Sequence, residues 1–543
     1  MASYETSPRR SDATLSEVPV GAFADKALDK PSSSPPSIEE KSQPPPTAHL
    51  SQGRKWFLLS IFSMSFLIDV LAFSTFILFT DYVSADLDIA YSQQTWVITS
   101  YTVTFSAFLL FWGRVSDVYS PKPVFVLGFL ILGFLDLIIS FLPEKFSFFI
   151  VRAFAGIAGA ALVPSSYRLI VQVFEPHELR QAFLIFGFIG PIASATGTMV
   201  AGVLELIPTQ GQMIAWRWFF RIMAILIIPT AIGSYYWIPG QEKEVDHEAE
   251  AGEVKWKRLD LIGCLIMLFA VILFILSLTL GSSSGFNKPG FIVPFVLCWP
   301  LFVGFFFYEA RLPERDALIP PAMWKIPNLI ILVLMSLYVY AWWATMGVVS
   351  VGMWLSVYHQ SSIIAAVRFL PEGVGAIVAT LLVQFIPKII SHPRWPISAG
   401  LLFACVGTAL LCVANPQLGT NYWRYLLPGH FIGSGAVMIL FNGINVGIMT
   451  STPPKSAGVA GATMQTALQV GTCIGLSIQA GLETISPGGL DTFSNVRTSW
   501  FFMIGWGMVW LVLFLVSYRP KKTKEFMEKH GVVLEEGGVP AGH

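Results

Sequence analysis

Long apolar segments recur along almost the whole chain between residues 56 and 518. An apolar run of about 20 residues can cross the hydrocarbon core of a bilayer as a helix. Fourteen candidates are present, with approximate limits 56–80, 94–112, 123–142, 147–172, 180–204, 216–239, 259–281, 291–307, 329–358, 362–387, 395–414, 424–449, 456–482 and 498–518. Because these runs leave no room for a large soluble domain, the sequence predicts an all-α polytopic membrane protein.

The composition agrees with a membrane-embedded chain. Hydrophobic residues make up 54% and charged residues 13%, whereas soluble domains carry about 25% charged residues. Residues 1–55, rich in proline and serine, are predicted to be a disordered tail, and residues 519–543 a second tail. The net charge is zero, so the lipid bilayer is the expected surrounding and no nucleic acid is expected as a partner.

The distribution of basic residues between alternate loops predicts the orientation. Of the 34 lysines and arginines, 26 fall in the tails and loops on one side and five on the other, with three inside the candidate helices. Loops rich in lysine and arginine stay in the cytoplasm. This split predicts fourteen spans with both termini cytoplasmic, since one missed or extra helix would scramble every later loop.

Two hydrophilic breaks divide the fourteen helices into groups of six, two and six. The longest break is Gly240 to Arg258, and the next is Glu309 to Asn328. The predicted parts are an N-terminal six-helix bundle (56–239), a linker with two helices (240–328) and a C-terminal six-helix bundle (329–518). Two bundles facing a central cavity are typical of transporters that rock between two states.

The loop after helix 2 carries the first recognisable motif. Its sequence, GRVSDVYSPK, resembles the GxxxDxxGRK signature of the major facilitator superfamily and departs from it at Ser120 and Pro121. The resemblance implies that the loop latches the two bundles, whereas an ordinary capped turn is the simpler interpretation. The candidate residues are Gly113, Arg114, Asp117 and Lys122.

Helices 4 and 5 carry two further motifs of the same superfamily. Helix 4 contains Arg152-Ala-Phe-Ala-Gly156, similar to RxxxG, and an arginine this deep normally faces a cavity or a partner. Helix 5 contains GFIGPIASA from residue 187, similar to the antiporter motif GxxxGPxxGG, with serine and alanine at its end. The candidate residues are Gly187, Gly190 and Pro191, and close packing of small residues is the alternative.

Three motifs in the expected order indicate one branch of the superfamily. Residues 56–518 resemble the fourteen-span drug:proton antiporters, especially the fungal proteins related to aminotriazole resistance. The resemblance implies the major facilitator fold and proton-coupled efflux of small amphipathic organic compounds such as drugs, toxins or secondary metabolites. It also implies a plasma-membrane location. A monomer without cofactor or metal is expected.

Asp69 and Arg152 are the candidate residues for proton coupling. Asp69 lies near the middle of helix 1, where an unpaired carboxylate is expensive, so it is expected to be protonated or paired. Arg152 enters from the other side of the membrane and could reach Asp69. A fixed ion pair, or a cavity residue without proton chemistry, remains open for Asp69. Asp136 is expected to form a structural hydrogen bond, and Arg368 and Glu372, at i and i+4, a local ion pair.

Amide and aromatic side chains are the candidates for substrate binding. Uncharged amides beside rings suit ring-bearing, amphipathic substrates better than phosphates or sugar acids, but amides also bond between packed helices. Helices 9, 10, 12 and 13 are expected to provide the C-terminal side of the cavity. The candidates are Trp96, Tyr101, Tyr338, Trp342, Trp343, Asn442, Asn445, Gln465 and Gln469.

Other function classes fit the sequence less well. A nucleotide-driven pump would need a GxxxxGK[ST] loop, which the chain lacks. A polytopic membrane enzyme would need convergent catalytic groups, and no histidine is followed by the spacing HxxxxD. Uptake of a nutrient or a metal chelate by the same fold is the remaining alternative, because the end of the helix 5 motif is degenerate.

Overall fold

The computed structural model describes residues 50–90, 93–206, 211–240, 259–313, 316–386, 389, 393–415, 419–452, 457–482 and 491–520. The predicted disordered tail lies outside the described residues except for positions 50–55. The predicted C-terminal tail lies outside them except for positions 519 and 520.

Fourteen long helices, in the predicted order, account for nearly all of the described chain, which contains no strand. They are α1 (Gln52–Asp86), α2 (Thr95–Val118), α3 (Pro121–Ile139), α4 (Lys145–Ala160, continued as Leu162–Val173), α5 (Pro176–Glu205), α6 (Ala215–Trp237), α7 (Leu261–Ser284), α8 (Pro289–Glu309), α9 (Leu329–Gly352), α10 (Ser362–Phe385), α11 (Arg394–Val413), α12 (Leu427–Ser451), α13 (Ala457–Leu482) and α14 (Phe493–Ser517). The predicted all-α class is confirmed.

Within these ranges, thirteen helices are long and apolar enough to cross a membrane. The exception, α13, has 26 residues and therefore a sufficient length. Its sequence is rich in glycine, threonine and glutamine, and it packs against α2, α4, α7 and α9. The polar side chains of α13 therefore face other helices, which explains why its composition alone does not mark a span.

Burial separates the linker helices from the rest. In the most apolar stretch of α8 only 17% of the residues are buried, against 72% in the segment containing α12. α8 packs mainly on α7, and α7 packs on α2 and α13. The helix α8 is therefore peripheral, and its apolar side chains face the surroundings, as expected for contact with lipid.

Each half of the chain is packed through a few helix pairs. In the N-terminal half α1 packs on α5, α2 on α4, and α3 on α6; in the C-terminal half α9 packs on α13, α10 on α12, and α11 on α12 and α14. Small residues permit the closest approaches. A Cβ added to Gly407 of α11 would lie 2.5 Å from the backbone nitrogen of Gly433 in α12, so these two backbones touch.

The two halves meet through α2 with α13, α5 with α10 and α12, and α1 with α9. The start of α1, the end of α2, and the starts of α9 and α13 lie on one face, which we call the terminal face. The opposite face is called the distal face. The domain limits 56–239, 240–328 and 329–518 remain predictions.

Candidate functional site

A narrow cavity of about 90 Å³ lies between the two halves. Its N-terminal wall comes from α1, α2, α4 and α5, and its C-terminal wall from α9, α10, α12 and α13. The lining is mainly apolar and aromatic. Three charged side chains reach it, namely Asp69, Arg152 and Glu372. This central cavity is the candidate substrate site, because a cleft lined by rings with a few polar groups is the usual form of a small-molecule site.

The N-terminal wall is organised around Asp69 of α1. Its side chain is buried and lines the cavity. The hydroxyl of Tyr101, on α2, interacts with the Asp69 carboxyl group. Tyr101 also lines the cavity, and its ring stacks on Phe105 at 5.5 Å. A buried carboxylate with one hydroxyl partner and an open side towards a cavity is placed to gain or lose a proton.

Arg152 of α4 lies behind Tyr101 in a set of aromatic rings. The carbon of its guanidinium is 4.2 Å from the centre of the Phe76 ring and 5.7 Å from that of Tyr101. Cation–π contacts of this kind stabilise a desolvated guanidinium. The Asp136 carboxylate of α3, also buried, interacts electrostatically with Arg152.

Arg152 was expected to reach Asp69, but in the structure the two side chains are connected only through Tyr101. The ion pairs found among the described side chains do not join Arg152 to Asp69 or to Asp136. Tyr101 stands between the two groups instead, interacting with Asp69 and lying against Arg152. Helix geometry places both residues at a suitable depth, but the bulk of the Tyr101 ring separates them. Their role in proton coupling remains a proposal.

The glycines that follow Arg152 make room for Tyr101. A Cβ on Gly156 would collide with Thr104 Oγ1 and with the backbone oxygen of Tyr101, and one on Gly159 would collide with the Tyr101 hydroxyl. Thr104 Oγ1 donates a hydrogen bond of 2.8 Å to the backbone oxygen of Ala153. The motif in α4 therefore brings α2 close enough for Tyr101 to contact both charged residues.

On the C-terminal wall, the face of α9 that lines the cavity is not the one predicted from the sequence. Tyr340 and Trp343 line the cavity, and Trp343 Nε1 donates a 3.2 Å hydrogen bond to Ser434 Oγ. Tyr338 and Trp342 are fully buried outside its lining. Trp342 Nε1 donates to Thr408 Oγ1 at 3.3 Å, towards α11. The expectation that Tyr338 and Trp342 line the cavity is therefore corrected, because the apolar α9 sequence shows no polar face that would fix its rotation.

Glu372 of α10 has a different partner from the one predicted. Its Oε2 lies 3.4 Å from Nδ1 of His430 on α12, and both side chains are buried. Arg368, the predicted partner, turns away, and its guanidinium carbon lies 5.1 Å from the centre of the Trp354 ring. Sequence reasoning missed His430; the only available signal was a single histidine within the apolar run of helix 12.

Of the four candidate amides, one lies at the central cavity and three lie outside its lining. Gln469 lines the cavity. Asn442, Asn445 and Gln465 are buried outside its lining, and a Cβ on Gly187 would lie 3.5 Å from Asn442 Oδ1. Both polar atoms of the Asn442 amide are buried without a hydrogen-bond partner. These three amides therefore sit where the halves are pressed together.

Two remaining candidate groups have distinct positions. Trp96 is half-buried in the first turn of α2 and lies outside the lining of the cavity. Gly187, Gly190 and Pro191 of α5 do line it. A Cβ on Gly190 would lie 2.9 Å from the Phe66 ring, so α5 can approach α1 only without a side chain there.

The loop after α2 joins the halves at the terminal face. Asp117 Oδ2 accepts a 3.0 Å hydrogen bond from the backbone N–H of Val459 at the start of α13. Asp117 Oδ1 lies 3.7 Å from Arg168 Nε of α4. A Cβ on Gly113 would lie 2.7 Å from Ala462 Cβ. The terminal face is therefore closed by direct contact between the halves.

The two basic candidates of this motif interact with the end of α6 and the start of α7. Lys122 Nζ donates a 2.6 Å hydrogen bond to the backbone oxygen of Ile238 and lies 5.4 Å from the centre of the Tyr235 ring. Arg114 is buried and interacts electrostatically with Asp117 of its own helix and with Asp260 at the start of α7. Arg114 thus connects the loop to the linker helices.

The distal side is open. A cavity of about 610 Å³ lies there between α1, α2, α7, α9 and α13. Ile77, Ile98, Thr102 and Thr472 line both this cavity and the central one. Its lining includes the carboxylates of Asp81 and Asp491. The central cavity therefore adjoins the distal one. Among the described residues, no group of three histidine, cysteine, aspartate or glutamate side chains could hold a metal ion.

Comparison with known proteins extends this description. The family model described as Major Facilitator Superfamily matches residues 61–476. The puromycin resistance protein pur8 of Streptomyces alboniger is 27% identical over 449 residues, covering 81% of this chain and 83% of the relative. The efflux pump terJ of Aspergillus terreus is 24% identical over 451 residues, covering 81% and 83%. These matches agree with the resemblance drawn from the three motifs.

The solved structures give the same result for the fold. The crystal structure of the human organic anion transporter MFSD10 superposes with a TM-score of 0.56, covering 85% of this chain and all of the other chain at 14% identity. At this level of identity the match concerns the fold alone. The predicted major facilitator fold is confirmed.

Proposed function

The chain belongs to the major facilitator superfamily, and we propose that it exports small amphipathic organic compounds in exchange for protons. It is a secondary active transporter with many membrane-spanning helices. The observation that carries the proposal is the buried Asp69 carboxylate, which lines an aromatic cavity and interacts with Tyr101 beside Arg152. A carboxylate exposed to the cavity can exchange a proton for a substrate within the same space.

The lining of the cavity suits ring-bearing compounds. Rings from both halves surround it, including Phe66, Phe73, Tyr340, Trp343 and Phe441. Flat rings bury a large apolar area and can also hold a cationic group over their faces. The relatives named for puromycin resistance and for efflux support the same class of substrate.

The closed terminal face and open distal face support alternating access. If the basic loops are cytoplasmic, as their charge predicts, the present conformer faces outward. Rocking of the halves would then separate Asp117 from Val459 and expose Asn442, Asn445 and Gln465 to the cytoplasmic side. Their place at this junction, with the Asn442 amide unsatisfied, supports a role in contacting substrate in the inward-facing conformer.

We further propose that the transporter acts as a monomer in the plasma membrane, with both termini cytoplasmic, and that it performs no catalysis. The orientation rests on the uneven distribution of lysine and arginine. A protein whose chemistry is confined to proton exchange needs neither a cofactor nor a metal.

The test is transport by the purified full-length protein in liposomes. Liposomes with an imposed pH gradient are given a panel of labelled aromatic compounds, beginning with puromycin. We expect uphill movement of at least one compound against its gradient, coupled to proton flow in the opposite direction. The Glu144→Gln variant, changed at an exposed acidic residue before α4, is the matched control for Asp69→Asn.

Two results would contradict the proposal. Movement of compound and protons in the same direction would favour uptake, the alternative function of this fold. Transport that is unchanged when the pH gradient is collapsed would exclude proton coupling.

A further inference from the structure

The C-terminal wall of the cavity contains a buried pair of ionisable side chains. Glu372 Oε2 lies 3.4 Å from His430 Nδ1, with side-chain exposures of 5% and 1%. A similar pair at the surface, His177 and Glu175, has a separation of 3.5 Å but exposures of 68% and 40%. The two pairs contain the same chemical groups, but one pair is exposed to solvent and the other is buried. Of the two, the buried pair borders the central cavity.

The histidine ring is hydrogen-bonded at one nitrogen and lies against the carboxylate with the other. His430 Nε2 lies 3.2 Å from Ser350 Oγ of α9. A serine hydroxyl can either donate or accept a hydrogen bond, so Ser350 can serve either form of the ring. The Phe369 ring lies against the imidazole, with ring centres 5.9 Å apart. Ser350 and Phe369 therefore fix the position of the imidazole beside Glu372.

Few other charged groups face this pair. Across the cavity stand Asp69 of α1 and Arg152 of α4, and on the same wall the Tyr340 hydroxyl of α9. The lining residues from α5 and α13 are uncharged. The ionisable side chains of the adjacent α11 are Arg394 at its first position, Cys405 and Cys412. Next to the pair in sequence, Arg368 contacts Trp354 and Tyr422 instead.

Burial restricts the charge that the pair can carry. Without a bound proton the pair is a carboxylate beside a neutral imidazole, and its single buried negative charge is costly. Binding one proton, on the imidazole or on the carboxyl group, gives a pair without net charge. Since Glu372 also borders the cavity, a proton can pass between the pair and the cavity water. A cationic or proton-bearing compound entering the cavity would change the balance between these states.

We propose that the Glu372–His430 pair is a second proton-binding site of the transporter, on the wall opposite Asp69. Its ligand is the proton itself. The inference goes beyond the proposed function, because exchange at Asp69 alone would satisfy that function. With both sites loaded, two protons face one cavity, one held by each half of the molecule.

The test is labelling of protonated carboxyl groups by a hydrophobic carbodiimide. The full-length protein in lipid is treated over the range from about pH 5 to about pH 8, in which histidine normally titrates. Mass spectrometry then measures the modified fraction of Glu372 and, in the same sample, of Asp69. We expect Glu372 to be labelled in a pH-dependent manner. The His430→Gln variant should move the pH of half-maximal labelling by about one unit or more, the size of the effect of a charge at this distance.

The controls separate a proton site from a structural pair. His177→Gln removes the exposed counterpart and should leave the Glu372 profile unchanged. Ser350→Ala retains both titrating groups and should keep the labelling while moving its midpoint. Glu372 that stays unlabelled, or whose labelling is independent of pH and of His430, would overturn the proposal. The measurement requires no substrate, so it remains decisive even if proton-coupled export itself is not observed.

Discussion

The two walls of the central cavity come from halves with similar helical packing but carry different chemistry. The N-terminal wall concentrates charge, with Asp69 and Arg152 at the cavity and Asp136 behind Arg152. The C-terminal wall presents rings and a single carboxylate, Glu372, which is paired with His430. The walls also differ in how they tolerate charge. Aromatic rings and a tyrosine hydroxyl stabilise it on the N-terminal side, and a neighbouring imidazole balances it on the C-terminal side.

The same division appears at the terminal face. There the N-terminal half supplies the charged groups, Asp117 and Arg168, and the C-terminal half supplies a backbone N–H from Val459. The charged side chains of the N-terminal half can therefore hold or release the C-terminal half, although that half contributes a backbone N–H and not a charged side chain. The unpaired charges at the cavity and the charged side chains at the terminal face thus both belong to the N-terminal half.

The largest expected effect is at Asp69. Asp69→Asn retains the shape of the side chain but cannot exchange a proton, so proton-driven export should fall by about a hundredfold or more. Transport into liposomes with an imposed pH gradient measures it, with Glu144→Gln as the control. An Asp69→Asn protein that exports with unchanged pH dependence would show that the charge on this wall is structural.

A smaller effect is expected when the two cavity tyrosines lose their hydroxyl groups. Tyr101→Phe removes the hydroxyl that interacts with the Asp69 carboxyl group, and should reduce export about tenfold or more. Tyr340→Phe leaves the ring in place and removes a hydroxyl that adjoins the neutral amide of Gln465, so the loss should be about twofold or less. The export rates of the two variants, measured at equal protein abundance, test this difference. Equal losses would show that the tyrosine hydroxyl groups of the two walls contribute equally to export.

Weakening the contact at the terminal face should change the rate at which the two conformers interconvert, but not the abundance of the protein. Asp117→Asn keeps the shape of the side chain but loses the charge-assisted bond to the Val459 N–H and the attraction to Arg168. Interconversion of the two conformers, followed by fluorescence transfer between labels on the two halves, should change about fivefold. Ser120→Ala, in the same loop and without a capping bond, is the control. If the Asp117→Asn protein interconverts at the normal rate, the motif does not latch the halves and is an ordinary capped turn.

The smallest effect concerns packing behind the N-terminal wall. Gly156→Ala places a methyl group against Thr104 Oγ1 and the Tyr101 backbone, which should cost about 1–3 kcal/mol of stability. Gly443→Ala in α12 meets its nearest neighbour, Ile397 Cγ1, at 3.3 Å, so that change should cost less than about 1 kcal/mol. Thermal unfolding of both variants in detergent measures the difference. Equal destabilisation would indicate that the close α2–α4 contact has no special role.

Hydrophobicity and charge were sufficient to predict the architecture. Spanning helices must satisfy their own backbone hydrogen bonds and must be apolar over a bilayer-long stretch, so each leaves a local signal in the sequence. The fourteen helices accordingly follow the predicted order. The same local signals placed Asp69 and Arg152 within α1 and α4, and both residues line the central cavity.

The partners within the site depended on how the helices rotate and which helices meet. Periodicity gives the rotation of a helix only when one face differs in polarity from the other, and α9 is apolar on all sides. Its cavity face therefore proved to contain Tyr340 and Trp343. Likewise, spacing suggested Arg368 for Glu372, but His430 lies 58 positions further along the chain. Contacts between helices that are distant in sequence form only when each half folds, and for that reason the sequence alone could not reveal the Glu372–His430 pair or Tyr101 standing between Asp69 and Arg152.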